Sequence, residues 1–158
     1  MTPRDYQAIA VEVRSAVAQE ADTGRLLERL VALLHGALPD YTWVGVYLVE
    51  GSDLVLGPFV GNPSPHTRIP VGRGICGAAA EQRQTIVVDE VGADERYLAC
   101  SLETRSEIVV PIMAGDRVVG ELDIDSDRPA AFGPADRTLL EEISALVADR
   151  VANLVDRL

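Results

Sequence analysis

The chain has 158 residues, of which 47% are hydrophobic, and a formal net charge of −11. This length suffices for one domain with a sizeable core, and the negative charge argues against nucleic-acid or anionic-membrane partners, which need basic patches. No apolar run approaches the ~20 residues of a membrane span, and the first residues form no signal-peptide pattern. We therefore expect a single cytoplasmic domain over residues 1–158 that has neither nucleic acid nor membrane as a partner.

The N-terminal part is predicted to form two amphipathic helices. Apolar residues recur at three- and four-residue steps within 4–20, a spacing typical of one buried helix face. Thr23 is predicted to cap a second helix, which Gly36 and Pro39 end. We assign residues 1–38 to these helices and residues 41–158 to the core and a C-terminal helix.

Two β-strands are predicted next, over residues 41–49 and 54–60. Trp43, Gly45 and Tyr47 alternate onto one face of the first strand. A glycine between two large rings leaves room for a group to approach the backbone. An aromatic pair that is half-buried under a helix is the alternative explanation.

The middle of the chain contains both cysteines. Cys76 follows a glycine-rich turn and lies near the start of a predicted short helix, where free backbone N–H groups would lower the pKa of its thiol. Cys100 lies in a long connection over residues 89–105, and connections of this length are usually functional or mobile. In a reducing compartment, two cysteines are more often free or catalytic than a structural bridge. The residues alone do not decide between a structural and a reactive Cys100.

The stretch SEIVVPIMAGDRVVGELDIDS, residues 106–126, predicts two strands around a tight connection. Period-two alternation places three carboxylates on one face of the second strand. That face is predicted to carry Val119, Glu121, Asp123 and Asp125, and the other face Val118, Gly120, Leu122 and Ile124.

The register of this hairpin follows from keeping apolar and charged residues on separate faces. A three-residue connection over 114–116 pairs Ile108 with Leu122 and Glu107 with Asp123, whereas a two-residue turn would mix the two kinds of residue. We therefore predict the three-residue connection and an acidic cluster of Glu107, Asp123 and Asp125. A solvated sheet face is the alternative explanation.

A last amphipathic helix is predicted to begin at Pro134, which suits a first helical turn. Helices at both ends of the chain thus flank a central, mainly antiparallel sheet. This order of elements predicts an α+β fold arranged as a three-layer sandwich.

Several segments together resemble the GAF-domain free methionine-(R)-sulfoxide reductases. They are WVGVY (43–47), LGPF (56–59), RIPVGRGICG (68–77), AC (99–100), SEIVVP (106–111) and GELDIDS (120–126), in the family's order. The resemblance implies a GAF-like sandwich with a six-stranded antiparallel sheet, and a homodimer. It also implies reduction of free L-methionine-(R)-S-oxide by thiolate attack, through a sulfenic acid and then a disulfide that thioredoxin or another thiol recycles, with no bound cofactor.

The resemblance also implies roles for individual residues. Cys100 matches the attacking cysteine, and Cys76 matches a cysteine that helps to resolve the oxidised enzyme in some members. The substrate would be held by the residues that match the family's carboxylates and aromatic wall: Glu107, Asp123, Asp125, Trp43 and Tyr47. A carboxylate kept protonated by its acidic neighbours would supply the proton, and we expect Asp123 or Asp125 to do so.

One position departs from the family pattern. His66 stands where the family usually has a resolving cysteine, ten residues before Cys76, and imidazole cannot form a disulfide. Cys76 or an external thiol then resolves Cys100, or the chain is a non-catalytic GAF module that binds a small molecule. His66 itself is either an exposed loop residue or a group that helps to ionise Cys100 or binds a ligand. A metal site at the acidic cluster is not expected, because histidine is scarce.

Overall fold

The computed structural model describes residues 3–99 and 103–158, and their side chains from residue 5 onward. The elements in chain order are α1 (Pro3–Gln19), α2 (Thr23–Ala37), β1 (Trp43–Glu50), β2 (Asp53–Val60), β3 (Arg68–Pro70), α3 (Gly74–Gln82), β4 (Ile86–Val88), a 3-10 turn (Val91–Ala93), β5 (Ser106–Ala114), β6 (Arg117–Ser126) and α4 (Pro134–Val155). The described helices include none that is both long and apolar enough to cross a membrane.

The six strands form one antiparallel sheet in the order β3-β2-β1-β6-β5-β4. One sheet face packs against α2 and α4, which bury apolar residues such as Leu27, Leu34 and Val147, and α1 packs on these two helices. The other face packs against α3 through a smaller cluster that includes Ile75 and Ala79. The predicted α+β three-layer sandwich is confirmed.

The start of α2 differs by one residue from the prediction. Asp22, not Thr23, is the N-cap residue, and its Oδ1 accepts a hydrogen bond of 2.9 Å from the backbone N–H of Arg25. Both side chains are good caps, so the sequence pattern did not distinguish them. Thr23 is buried and its Oγ1 instead accepts a hydrogen bond from Arg150 Nε.

The predicted hairpin register is wrong in detail. Ala114 pairs with Arg117, so the turn has two residues, and Gly115 adopts the left-handed φ of +64° that such a turn requires. Farther along the hairpin, Ile108 pairs with Ile124 rather than Leu122, and Glu107 pairs with Asp125 rather than Asp123.

The difference comes from a β-bulge on β6. Met113 pairs with Val118 and Ile112 with Gly120, which leaves Val119 as an extra residue. Val119 consequently packs in the core beneath α4, and Val118 packs on the opposite face with the α3 cluster. These two valines exchange the faces that simple alternation predicted, while the residues after the bulge keep theirs.

Candidate functional site

The acidic cluster lies on the α3 side of the sheet and is buried. Glu107, Asp123 and Asp125 are at most 4% exposed, and Glu121 beside them is fully buried. The alternative of a solvated sheet face is therefore wrong. The prediction that Glu107, Asp123 and Asp125 share one face is confirmed, because the shift from the predicted register is an even number of residues.

Three central strands and one helix position these groups. Asp125 on β6 lies opposite Glu107 on β5 and opposite Trp43 on β1. Helix α3 covers this face and brings the thiol of Cys76 to the carboxylates. The Cys76 Sγ and one carboxylate oxygen each from Glu107 and Asp123 all lie within 4.8 Å of one another.

Within the acidic cluster, Glu107 donates hydrogen bonds to both Asp123 and Asp125. Burial raises the pKa of all three carboxyl groups, and Coulomb repulsion from Asp123 raises those of Glu107 and Asp125 further. The pKa of Asp123 is also raised by burial, but hydrogen bonds from Glu107 and from the Cys76 thiol lower it in part. These hydrogen bonds favour the ionised form of Asp123 and the protonated form of Glu107, against the burial that disfavours charge on either group.

The expected low pKa of the Cys76 thiol is wrong. Burial is the main cause that holds this pKa well above its ordinary value, and the charges of Asp123, Glu107 and Glu121 add to the effect. Cys76 lies in the first turn of α3, but three nearby carboxylates outweigh the partial positive charge of a helix N-terminus. At neutral pH its thiol is a hydrogen-bond donor rather than a nucleophile.

Two cavities meet the acidic cluster from different sides. The inner cavity, of about 20 Å³, is lined by Glu107, Asp123, Cys76, Tyr47 and His66 among others, and it has room for about one water molecule. The outer cavity, of about 150 Å³, is lined by Asp125 and Trp43, with Thr42, Asn62, Glu103, Thr104 and Asp127. Trp43 and Tyr47 thus line different cavities, which the acidic cluster separates.

Gly45 does not leave open space on the face of β1 that carries Trp43 and Tyr47. A Cβ built on Gly45 would lie 2.3 Å from the indole ring of Trp43. The indole also stacks on Phe59 and donates a hydrogen bond of 2.9 Å from its Nε1 to the carbonyl oxygen of Asn62. The space beside Gly45 is therefore filled by the indole ring of Trp43 itself.

His66 makes two hydrogen bonds beside the inner cavity, one through its backbone and one through its imidazole ring. Its carbonyl oxygen accepts a hydrogen bond of 2.9 Å from the Tyr47 hydroxyl, and its Nε2 lies 3.0 Å from the carbonyl oxygen of Ala99. Ala99 directly precedes Cys100 in the chain. Cys100 lies outside the residues that the structure describes, so its predicted attacking role remains a prediction.

Sequence reasoning missed two features of this site. Glu121 is buried with no hydrogen-bond partner at either oxygen, and its charge acts on Cys76. The period-two pattern of β6 pointed to Glu121, but the family match did not include it. The hydrogen bond from Cys76 to Asp123 was the second omission, because nothing in the sequence specifies how α3 lies on the sheet.

Larger depressions lie elsewhere on the surface of the described residues. One, of about 430 Å³, lies between α1 and α2, a second, of about 530 Å³, is lined by Arg83, Arg137 and neighbouring residues, and a third, of about 410 Å³, lies between α1 and α4. None of these three is lined by a described cysteine or by a member of the acidic cluster. Size alone therefore does not identify the reactive site, and the chemistry of the lining favours the two smaller cavities.

The chain is similar to known proteins in family, sequence and structure. The GAF domain family model matches residues 22–151. The chain is 37% identical over 142 residues to the free methionine-R-sulfoxide reductase of Escherichia coli K12, covering 90% of this chain and 81% of that protein. The X-ray structure of free methionine-R-sulfoxide reductase from Neisseria meningitidis in complex with its substrate has a TM-score of 0.89 and 38% identity, over 97% of this chain and 92% of that one.

A more distant structure shares only the fold. The GAF domain of a phosphoenolpyruvate-protein phosphotransferase from Coxiella burnetii has a TM-score of 0.88 at 15% identity, over 99% of this chain and 98% of that one. The fold by itself therefore does not specify an activity, which depends on the residues of the site.

Proposed function

The chain belongs to the GAF-domain free methionine-(R)-sulfoxide reductase family, and on that premise we propose that it reduces free L-methionine-(R)-S-oxide to methionine. The observation that carries the proposal is the buried acidic cluster, in which Glu107 donates hydrogen bonds to Asp123 and Asp125. Such a cluster supplies both an anion for an ammonium group and an acid for a sulfoxide oxygen.

Substrate recognition is assigned to both the acidic cluster and the aromatic residues. The ionised Asp123 binds the α-ammonium group, which exists in the free amino acid and not in a peptide-bound methionine. Trp43 and Tyr47 form the apolar wall for the S-methyl group. Because the inner cavity holds only about 20 Å³, the bound substrate requires the inner and outer cavities to merge.

The chemical step is assigned to Cys100. Its thiolate attacks the sulfoxide sulfur while a carboxyl group protonates the oxygen, methionine leaves, and Cys100 becomes a sulfenic acid. The hydrogen-bond pattern favours Glu107 as the acid, since Glu107 donates to both Asp123 and Asp125. Asp123 and Asp125 are the two acids expected from the sequence, and Asp123 is better suited to bind the ammonium group.

Recycling of Cys100 is assigned to an external thiol. A sulfenic acid condenses with a second thiol to a disulfide and water, and a dithiol such as thioredoxin then reduces the disulfide. Cys76 is a poor internal resolver because its thiol is buried beside carboxylates. The proposed enzyme has no bound cofactor and works in the cytoplasm as a homodimer, whose mass light scattering would measure.

The proposal is tested by following each sulfoxide diastereomer with dithiothreitol or thioredoxin present. We expect the free R form to disappear while the S form persists. Cys100→Ser should abolish the reaction, and N-acetylation of the substrate should prevent it by removing the ammonium group. An R-sulfoxide left intact under both reductants would overturn the proposal.

The role of Cys76 has its own test. We expect Cys76→Ala to retain turnover with glutathione, and with thioredoxin as well, if an external thiol resolves Cys100. Loss of turnover with thioredoxin in a variant whose far-UV circular dichroism matches the parent would instead make Cys76 the resolver.

A second candidate function is a non-catalytic GAF module that binds a small amino compound. The observation that favours it is His66, which stands where the family usually has a resolving cysteine. This alternative predicts saturable binding of methionine or its sulfoxide by calorimetry, unchanged after thiol alkylation and without any turnover.

A further inference from the structure

The inner cavity is lined by one soft metal ligand, a thiol, and two hard metal ligands, both carboxylates. Sγ of Cys76 and carboxylate oxygens of Glu107 and Asp123 lie within 4.8 Å of one another, and all three residues line the same cavity. We propose that these three side chains bind a thiophilic divalent cation, Zn²⁺, in the inner cavity. This site goes beyond the proposed reductase activity, since it requires neither Cys100 nor turnover.

The donor set selects the class of cation. Zinc accepts thiolate sulfur and carboxylate oxygen with bond lengths of about 2.0–2.3 Å, whereas Mg²⁺ and Ca²⁺ require oxygen ligands throughout. Tetrahedral ligands at those lengths stand about 3.5 Å apart. Donors that already lie within 4.8 Å reach this arrangement by small side-chain rotations. The scarcity of histidine argued against a metal from the sequence, but the thiol supplies the missing soft ligand.

An unsatisfied oxygen gives independent support. Oδ1 of Asp123 is buried and accepts no hydrogen bond from the described residues. The residue is only 2% exposed and lines the cavity. A buried polar atom without a partner carries a desolvation cost that a ligand removes. The cavity volume of about 20 Å³ fits one ion better than an extended molecule.

Charge balance sets the pH dependence of the site. Binding of Zn²⁺ replaces the protons held by the Cys76 thiol and by Glu107, so the affinity rises with pH. The other titratable groups that face the site are Asp125, Glu121, Tyr47 and His66. The cation and its three anionic ligands together carry one net negative charge.

Occupancy has a consequence for the proposed reaction. The cation would bind the carboxylates that are proposed to hold the substrate's ammonium group, so Zn²⁺ and substrate exclude each other. This consequence rests on the proposed function, but the metal site itself does not. A spectroscopic assay of binding therefore separates failure of the site from failure of the reductase.

The test uses Cd²⁺ as a spectroscopic probe for Zn²⁺, in a Cys100→Ser variant that leaves Cys76 as the chain's one thiol. We expect an ultraviolet thiolate-to-cadmium absorption band that saturates at one equivalent, grows with pH, and is displaced by Zn²⁺ but not by Mg²⁺. Adding Cys76→Ala should remove the band, and adding Asp123→Asn should weaken binding roughly tenfold or more.

A matched control is Glu90→Gln in the same Cys100→Ser background. Glu90 is an exposed carboxylate paired with Arg105, away from the cavity, and its loss should leave the titration unchanged. Absence of the band in Cys100→Ser protein with native far-UV circular dichroism would overturn the proposal. A band that survives Cys76→Ala, or an Asp123→Asn titration equal to that of Glu90→Gln, would do the same.

Discussion

The Nε2 atom of His66 lies 3.0 Å from the carbonyl oxygen of Ala99, a residue 33 positions along the chain. A carbonyl oxygen can only accept, so Nε2 carries the proton of this hydrogen bond. The loop that contains His66 is thereby fastened to the residue that directly precedes Cys100. A thiol at position 66 would therefore lie close to Ala99, the residue that precedes the proposed nucleophile Cys100.

His66→Cys is expected to speed thioredoxin-dependent turnover. The new thiol would condense with the sulfenic acid of Cys100 and so replace the slower reaction with an external thiol. Steady-state rates and the mass of the non-reduced protein after one turnover measure the effect. His66→Ser is the matched control, since it removes the imidazole without adding a thiol. Equal rates for the two variants would contradict this reading of the position.

Glu121→Gln is expected to stabilise the protein at neutral pH. The pKa of Glu121 is well above its ordinary 4.5 because of burial, followed by the charge of Asp123. A folded-state pKa above the unfolded value means that folding binds a proton, so the contribution of Glu121 to stability falls as pH rises above 4.5. The neutral amide avoids this loss, which reaches about 3 kcal/mol at pH 7 if the carboxyl group stays protonated.

Urea unfolding at pH 4 and pH 7 measures this difference. The two proteins should have similar stability at pH 4, where the carboxyl group of Glu121 is protonated in both states. Glu28→Gln provides an exposed comparison that should differ little from the parent at either pH. A gain that does not depend on pH would show that protonation is not its cause.

Gly45→Ala is expected to destabilise the protein by about 1–3 kcal/mol, as overpacking of a filled site usually does. Its Cβ would lie 2.3 Å from the Trp43 ring, so the indole must move. Trp43 is the chain's one tryptophan, and its fluorescence reports both the displacement and the unfolding transition. Gly36→Ala in α2 is the control, because nothing lies within 4 Å of its Cβ; alanine there should be neutral or stabilising.

Asp136→Ala is expected to cost about 3 kcal/mol of stability. Oδ1 of Asp136 accepts hydrogen bonds of 2.7 Å from Tyr41 and 3.0 Å from Tyr6, and Oδ2 accepts one of 2.9 Å from the backbone N–H of Gly133. Their loss leaves the buried hydroxyl of Tyr41 without this acceptor and removes part of the α4 cap.

Chemical denaturation followed by far-UV circular dichroism tests the Asp136 prediction. Asp156→Ala removes an exposed ion pair with Arg117 and should cost less than about 1 kcal/mol. Similar losses for the two variants would show that the hydrogen bonds of Asp136 contribute little.

The layer arrangement could be predicted because each element carries its own local signal. Apolar periodicity gave the helices, and alternating β-branched residues gave the central strands. The hairpin register could not be predicted, because Val119 forms a bulge that no local pattern marks. The face shared by Glu107 and Asp123 was nonetheless correct, because the register differs from the prediction by two residues rather than one.

The members of the acidic cluster could be predicted from alternation, but their protonation could not. Burial decides whether these carboxyl groups are protonated, and burial depends on how α3 covers the sheet. The position of Cys76 at a helix start suggested a low thiol pKa, yet the carboxylates across the cavity raise it. Sequence gives the helix that carries a side chain, whereas the charges that face the side chain come from elements distant in the chain.

The bulge at Val119 has a practical consequence for engineering. Pairing of β6 with β1 is regular from Gly120 to Asp125, so β1 holds the carboxylate half of β6 in place independently of the hairpin tip. The extra residue in the bulge accommodates the one-residue difference in register between that half and the turn at Gly115 and Asp116. The tip is therefore a suitable place to insert a peptide tag or a fluorescent reporter without disturbing the buried carboxyl groups.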